Sequence, residues 1–215
     1  LDGGTGADII YSGNGSDTII IRSGDGGPTQ SAGDTVSDFS DGNDSIGLAA
    51  ITFGALTIDQ VGSDTVIKEG SNFLTTLTGI SASAITAVDF QSTSTSAVTY
   101  NGTSDNDTMV GGAGGDTFNG GAGNDTLYGW GGNDTFNITS KSGSFADIID
   151  GGAGTDTLDI SYSGVTSLAS FTISTSGDNI TLTGASGGSI TYSSIENLTV
   201  GDYDYIDLYT DRGAG

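Results

Sequence analysis

From Gly102 to Asn137 the chain repeats itself every nine residues, as GTSDNDTMV, GGAGGDTFN, GGAGNDTLY and GWGGNDTFN. Asp107, Asp116, Asp125 and Asp134 hold the sixth place of each unit, and Thr and an apolar residue follow. A unit of this length accommodates one glycine-rich turn and one short strand, and such units stack as the coils of a parallel β-helix. The eighth position is apolar throughout: Ile10, Ile19, Met109, Phe118, Leu127, Phe136 and, in an isolated unit, Leu158. Alternate side chains of a strand face opposite ways, so the eighth residue points inward while the seventh and ninth point out. Two nine-residue units close a coil of 18 residues, which stacks Asp107 on Asp125 and Asp116 on Asp134. Carboxylates stacked in that way repel one another unless a counter-ion lies between them.

The same grammar opens the chain, with GGTGADIIY from Gly3 and SGNGSDTII from Ser12, which put Asp8 and Asp17 in the sixth place. A looser passage follows and ends in DTVSDFSDGNDSIGL, Asp34 to Leu48. From Ile51 to Phe90 polar and apolar residues alternate in Thr- and Ser-rich stretches, the pattern of strands and hairpins. The second half repeats the plan: an irregular stretch from Ile138 to Ala146, then DIIDGGAGTDTLDI, which carries Asp156, then FTISTSGDNITLTG and GGSITYSSIENLTV. Asp64-Thr65-Val66-Ile67 and Asp178-Asn179-Ile180-Thr181 read as matching strand starts. Two modules are therefore expected. Residues 1–97 hold repeats at 3–48 and a β segment at 51–90; residues 98–200 hold repeats at 102–137 and 151–159 and a β segment at 161–200. Residues 201–215 end in DRGAG, which resembles the opening DGGTG and reads as the start of a further array. A chain that opens and closes inside repeats is expected to be an excerpt from a longer one.

Acidic residues outnumber basic ones 27 to 4 among 215, for a net charge of -23, and there is neither histidine nor cysteine. Such a chain repels phosphate backbones and anionic lipid, so no nucleic acid and no membrane insertion is expected. No stretch approaches the roughly 20 apolar residues of a membrane-spanning helix. Without disulfides, a protein outside the cell needs another staple, and a metal is the candidate. The donors offered are carboxylates and turn carbonyls. Calcium takes six to eight oxygens of that kind at about 2.3–2.6 Å, whereas magnesium demands a tighter octahedron and zinc prefers the absent His and Cys. Several Ca2+ ions are therefore expected.

GGAGGDTFN, GGAGNDTLY, GGTGADIIY and GGAGTDTLD resemble the nonapeptide GGxGxDxUx of the repeat-in-toxin (RTX) family, in which U is a large apolar residue. The resemblance covers about half the chain. It implies an all-β, elongated fold, in which parallel β-roll arrays with calcium between their turns alternate with Thr/Ser-rich β segments. It also implies type I secretion, with the chain unfolded in a low-calcium cytosol and folded outside. Carried over residue by residue, the metal ligands are Asp8, Asp17, Asp107, Asp116, Asp125, Asp134 and Asp156. Carbonyls of Gly112, Gly114, Gly121 and Gly123 complete the shells. Three units depart from the pattern: Ser12 replaces a first glycine, Trp130 a second, and Ser104-Asp105 the usual x-Gly pair. Asp25, Asp34, Asp44 and Asp147 read equally as turn caps or as ligands.

Catalysis finds no support, because a chain without His or Cys has no histidine-based triad, thiol nucleophile or zinc-hydrolase motif. Paired carboxylates hydrolyse glycosides when about 5–9.5 Å apart, but these are assigned to metal. The expected role is a calcium-dependent structural or adhesive module of a large secreted protein, extracellular or on a bacterial cell surface, of adhesin, surface-layer or filament type. Its partners would be calcium, further copies through end-to-end stacking, and glycan or cell-surface contacts. One alternative is the noncatalytic export and substrate-attachment tail of a secreted hydrolase, lyase or epimerase. Another is a carbohydrate-binding module, for which Trp130 is the candidate contact. A second aromatic feature, Tyr203, Tyr205 and Tyr209 interleaved with Asp202, Asp204 and Asp207, reads as outward strand residues feeding the next array.

Overall fold

A computed structural model describes residues 1–206, and the chain divides into two compact units, Leu1–Thr93 and Ser94–Gly215. The DRGAG segment, Asp207 and Tyr209 lie outside the described residues. The first unit contains β1 (Ile9–Ile10), β2 (Thr18–Arg22), β3 (Asp34–Val36), β4 (Ser45–Ala49), β5 (Leu56–Val61), β6 (Asp64–Glu69), β7 (Asn72–Leu77) and β8 (Phe90–Ser92). The second contains β9 (Thr99–Asn101), β10 (Thr108–Val110), β11 (Thr117–Asn119), β12 (Thr126–Tyr128), β13 (Thr135–Ile138), β14 (Ala146–Asp150) and β15 (Thr157–Ile160). It continues with β16 (Phe171–Ser176), β17 (Asn179–Gly184), β18 (Ser189–Ser193), β19 (Asn197–Val200) and β20 (Tyr203–Ile206). No described helix is long and apolar enough to cross a membrane.

Each unit is a parallel β-roll. The chain deals its strands alternately to two sheets, so odd and even repeats form separate stacks. In the second unit β9, β11, β13, β15 and β19 run parallel in one sheet, and β10, β12, β14 and β18 in the other. The strands of the regular array cover positions seven to nine of the nonapeptide, where a Thr and an apolar residue favour extended backbone. Register confirms the 18-residue coil: Thr108 pairs with Thr126, and Thr117 with Thr135. The eighth residues fill the interior. Phe118, Leu127, Phe136 and Leu158 are fully buried, and Ile10, Ile19 and Met109 nearly so.

Stacking in register turns equal residues into columns. Tyr100, Phe118 and Phe136 lie ring on ring at 4.9 and 4.8 Å, nearly parallel. That is the spacing of hydrogen-bonded strands, so the aromatic column follows from the ladder itself. On the outer face the Asn119 amide donates to Asn101 at 2.8 Å, and Asn137 to Asn119 at the same distance.

Coil length changes where the repeat breaks. Thr126 pairs with Ile148 and Thr135 with Thr157, steps of 22 residues, because the stretch between β13 and β14 adds four. The Thr/Ser-rich segments both continue the coil and leave it. β18 returns parallel to β14, while β16 and β17 form an antiparallel hairpin on its outer edge. The first unit has the same order: β7 joins β3 in parallel, and β5 and β6 extend that sheet antiparallel. β20 folds back antiparallel on β19, and its Tyr203 is exposed.

Because Phe118 touches an aromatic ring on both sides, Phe118→Ala should destabilise the calcium-saturated protein by about 3–5 kcal/mol. Denaturant unfolding followed by circular dichroism would measure it; an unchanged midpoint would mean that the column contributes nothing to stability.

Candidate metal centre

The sixth-position aspartates form ladders along the turn edges. From the second nonapeptide of the regular array onward, each carboxylate accepts a backbone N–H of the coil before it. On one edge Val98 N donates to Asp116 Oδ1 at 2.8 Å, Asp116 N to Asp134 Oδ1 at 2.6 Å, and Asp134 N to Asp156 Oδ1 at 2.8 Å. Asp156 N then donates to Glu196 Oε2 at 2.7 Å. On the other edge Asp107 N donates to Asp125 Oδ1 at 3.0 Å and Asp125 N to Asp147 Oδ1 at 2.9 Å. In the first unit Asp8 N donates to Asp34 Oδ1 and Asp17 N to Asp44 Oδ1.

Asp17 and Asp107, at the heads of their ladders, only donate. One oxygen of each accepting carboxylate is thereby committed to the ladder, and the second is left over. Its fate differs along the array. Asp107 Oδ2 accepts Thr103 N and its hydroxyl, and Asp116 Oδ2 accepts Gly112 N. The second oxygens of Asp17, Asp134, Asp147 and Asp156 are buried with no hydrogen-bond donor. Asp134, Asp147 and Asp156 are themselves at most 1% exposed. A buried anionic oxygen without a donor is costly, and here the neighbouring coils add like charges.

The glycines make the room for these oxygens. A Cβ on Gly111, Gly120 or Gly151, each the first residue of its unit, would lie 2.8, 2.7 or 2.6 Å from Oδ2 of Asp116, Asp125 or Asp156. Gly121 and Gly123 take positive φ, and a Cβ there would run into the Thr103 and Asp105 carbonyls of the preceding coil. Turn carbonyls therefore face the next turn at close quarters. No three acidic side chains converge among the described residues. The available donor set is one or two carboxylates with several carbonyls, all oxygen, which fits a hard cation of calcium's size.

Of the carbonyls expected as ligands, that of Gly112 accepts Gly131 N at 2.9 Å and keeps a second lone pair, and that of Gly114 faces Gly132. That of Gly123 accepts the Lys141 ammonium at 3.0 Å. Asp8, Asp17 and Asp107 are half-buried, unlike Asp116, Asp125, Asp134 and Asp156, which are fully enclosed. Both oxygens of Asp44 accept from protein donors, Oδ1 from Asp17 N and Oδ2 from Ser40 N and the Ser12 hydroxyl. Asp38 likewise caps the irregular turn at Ser12, accepting Ser12 N at 2.7 Å and Gly13 N at 2.9 Å. Trp130 holds a positive φ of 73° and is half-buried, with its indole N–H enclosed and unpartnered.

Asp38, Glu196 and Lys141 are not singled out by the repeat, and Asp34 reads there equally as a turn cap or a ligand. Asp34 and Glu196 stand 26 and 40 residues from the groups they serve, beyond any nine-residue step.

Burial pushes the Asp134 carboxyl up to about 7, helped by the charges of Asp156 and Asp116. Burial also pushes Asp156 up to about 6, with Glu196 and Asp150 adding to it, and raises Asp147 and Asp34. A carboxyl whose folded pKa is raised binds more protons in the native state than in the unfolded one, where it titrates near 3.8. Stability must then fall as pH rises from about 4 to about 7. In chelator the midpoint of thermal unfolding should drop across that window. Saturating calcium should remove or reverse the drop, and identical profiles with and without calcium would exclude a cation at these oxygens.

The model of the RTX calcium-binding nonapeptide repeat matches residues 1–26, 101–136 and 141–159, in four copies. These are the segments that build the carboxylate ladders. No protein of curated function matches the chain. Among solved structures, the extracellular lipase LipA from Serratia marcescens aligns at 14% identity with a TM-score of 0.31. That alignment covers 88% of this chain but 36% of the lipase, and at that score it carries no argument about function.

Proposed function

Because the chain carries RTX calcium-binding nonapeptide repeats, we propose that it is a calcium-dependent structural module of a large secreted protein, extracellular or at a bacterial cell surface. The observation that carries this reading is the set of buried, donorless carboxylate oxygens on Asp17, Asp134, Asp147 and Asp156. The sixth-position aspartates Asp8, Asp17, Asp107, Asp116, Asp134 and Asp156 act as ligands, joined by Asp147 and by turn carbonyls such as those of Gly112, Gly114 and Gly121.

The ions act by neutralising stacked charge. A chain of net charge -23 gains little from compaction until cations enter its turns, so binding free energy becomes folding free energy. Extracellular modules hold calcium with dissociation constants of about 10⁻⁴–10⁻³ M, too weak to fill at cytosolic levels. The module would stay open inside the cell and close after export. Tandem units of the same strand order suit a stalk or adhesive repeat, whose task is to be rigid outside the cell.

Titration of the chelated protein with calcium, followed by far-ultraviolet circular dichroism, should show a gain of β structure that magnesium at the same concentration does not produce. Asp134→Asn keeps the acceptor for Asp116 N and removes the buried charge. It should leave the chelated protein no less stable but weaken calcium binding about tenfold or more in calorimetry. Full β structure in chelator with no heat of calcium binding would sink the reading.

A further inference from the structure

One station on the turn edges already holds a cation, and it belongs to the chain. Lys141 is 5% exposed, and its ammonium lies 3.0 Å from the Gly123 carbonyl, 2.6 Å from Asp125 Oδ2 and 3.0 Å from Asp147 Oδ1. We infer that the Lys141 ammonium takes the place of a calcium ion between the Asp125 and Asp147 turns, so that this station stays closed to calcium while others along the array fill. The inference rests on the calcium reading of the repeats.

The ligand set around the ammonium is the one a calcium station would use: a glycine-turn carbonyl and the carboxylates of two successive coils. An ammonium has three donors, and three acceptors meet it. Asp125 shows the result. It is fully buried like Asp134 and Asp156, yet its second oxygen has a partner where theirs have none. The Phe145 ring, 5.3 Å from the ammonium, closes the station on another side.

Register explains how the lysine arrives there. Gly123 follows Asp105 by one 18-residue coil, and Lys141 follows Gly123 by another. At this step the glycine turn is lost. Ile138, Thr139 and Lys141 stand at the first, second and fourth places, where the repeat would supply glycine, and the coil lengthens to 22 residues. The chain gives up the glycine turn that a third stacked coil would bring and supplies a charged group in the same place. A calcium ion entering there would face the ammonium at contact distance and would have to expel it into solvent, stripping a buried lysine of both carboxylates.

Lys68 and Lys141 are the only lysines of the chain, which makes the test direct. Calcium-saturated protein is treated with acetic anhydride and the acetylated lysines are located by peptide mapping. Lys68, whose side chain is 24% exposed, serves as the internal reference. Lys141 should react at least about tenfold more slowly than Lys68. Calcium is also counted by native mass spectrometry in the wild type and in Lys141→Met, which keeps the stem and removes the charge. The folded variant should hold one ion more. Equal reactivity of the two lysines in calcium-saturated protein overturns the inference, as does an unchanged ion count in folded Lys141→Met. If that variant fails to fold at any calcium concentration, the labelling of the wild type decides alone. A wild type that binds no calcium at all overturns the reading of the repeats, and the wild-type count reports that outcome separately.

Discussion

Carboxylates enclosed in the protein and stacked one coil apart are the constraint from which the rest of this architecture follows. Asp116, Asp125, Asp134 and Asp156 each spend one oxygen on a backbone N–H of the coil before, which locks the register of the turns. The other oxygen is turned into a space that only a glycine leaves open. An arrangement of this kind is self-defeating without cations, since each coil adds a like charge to the one below it, and burial together with those charges lifts Asp134 to about 7. The excess of acidic residues, the glycine content and the lack of soft ligands are consequences of building turns this way.

The interior obeys a different logic. Phe118 on Phe136, Met109 on Leu127 on Ile149, and Leu158 on Leu198 are columns of apolar side chains that water drives together whatever ions are present. Core and edge thus answer to separate forces within the same nine residues. The core favours collapse in any solution, and the edges forbid it until charge is neutralised. On the calcium reading proposed above, a fold with those two requirements would be switched without any moving part, because the switch is the balance between its inside and its rim.

The nine-residue period revealed the strands, their inward residue and the pairing of Asp107 with Asp125 and Asp116 with Asp134, since these follow from local pattern and stacking alone. It failed where the period fails. Nothing in the stretch from Ile138 to Ala146 says that the coil lengthens by four. Nor does the alternation in residues 161–200 say that one strand rejoins the roll while two fold outward as a hairpin. Glu196 extends the carboxylate ladder only because β19 lands beside β15, 40 residues on. Asp44 and Asp147 looked interchangeable in the sequence. The structure separates them: Asp44 is satisfied by the Ser40 and Ser12 donors, and Asp147 keeps a bare oxygen. Such differences depend on what the neighbouring coil offers.

Lys141 shows why the end of a regular array is where a repeat protein departs from its own rule. A calcium station needs carbonyls from glycine turns on successive coils, and an array that is about to give way to a hairpin no longer has them. An aspartate pair left there without a cation would carry two buried charges and no ligand cage strong enough to hold a free ion. A tethered ammonium needs no cage, because its four-carbon stem fixes its position and it is present at any calcium concentration. It also stops at a single charge, which balances one of the two carboxylates and leaves Asp147 Oδ2 bare. Among the described residues of the second unit, the Asp125–Asp147 step is then the one place where two coils join by the chain's own charges, and the coils on either side are left to the ion.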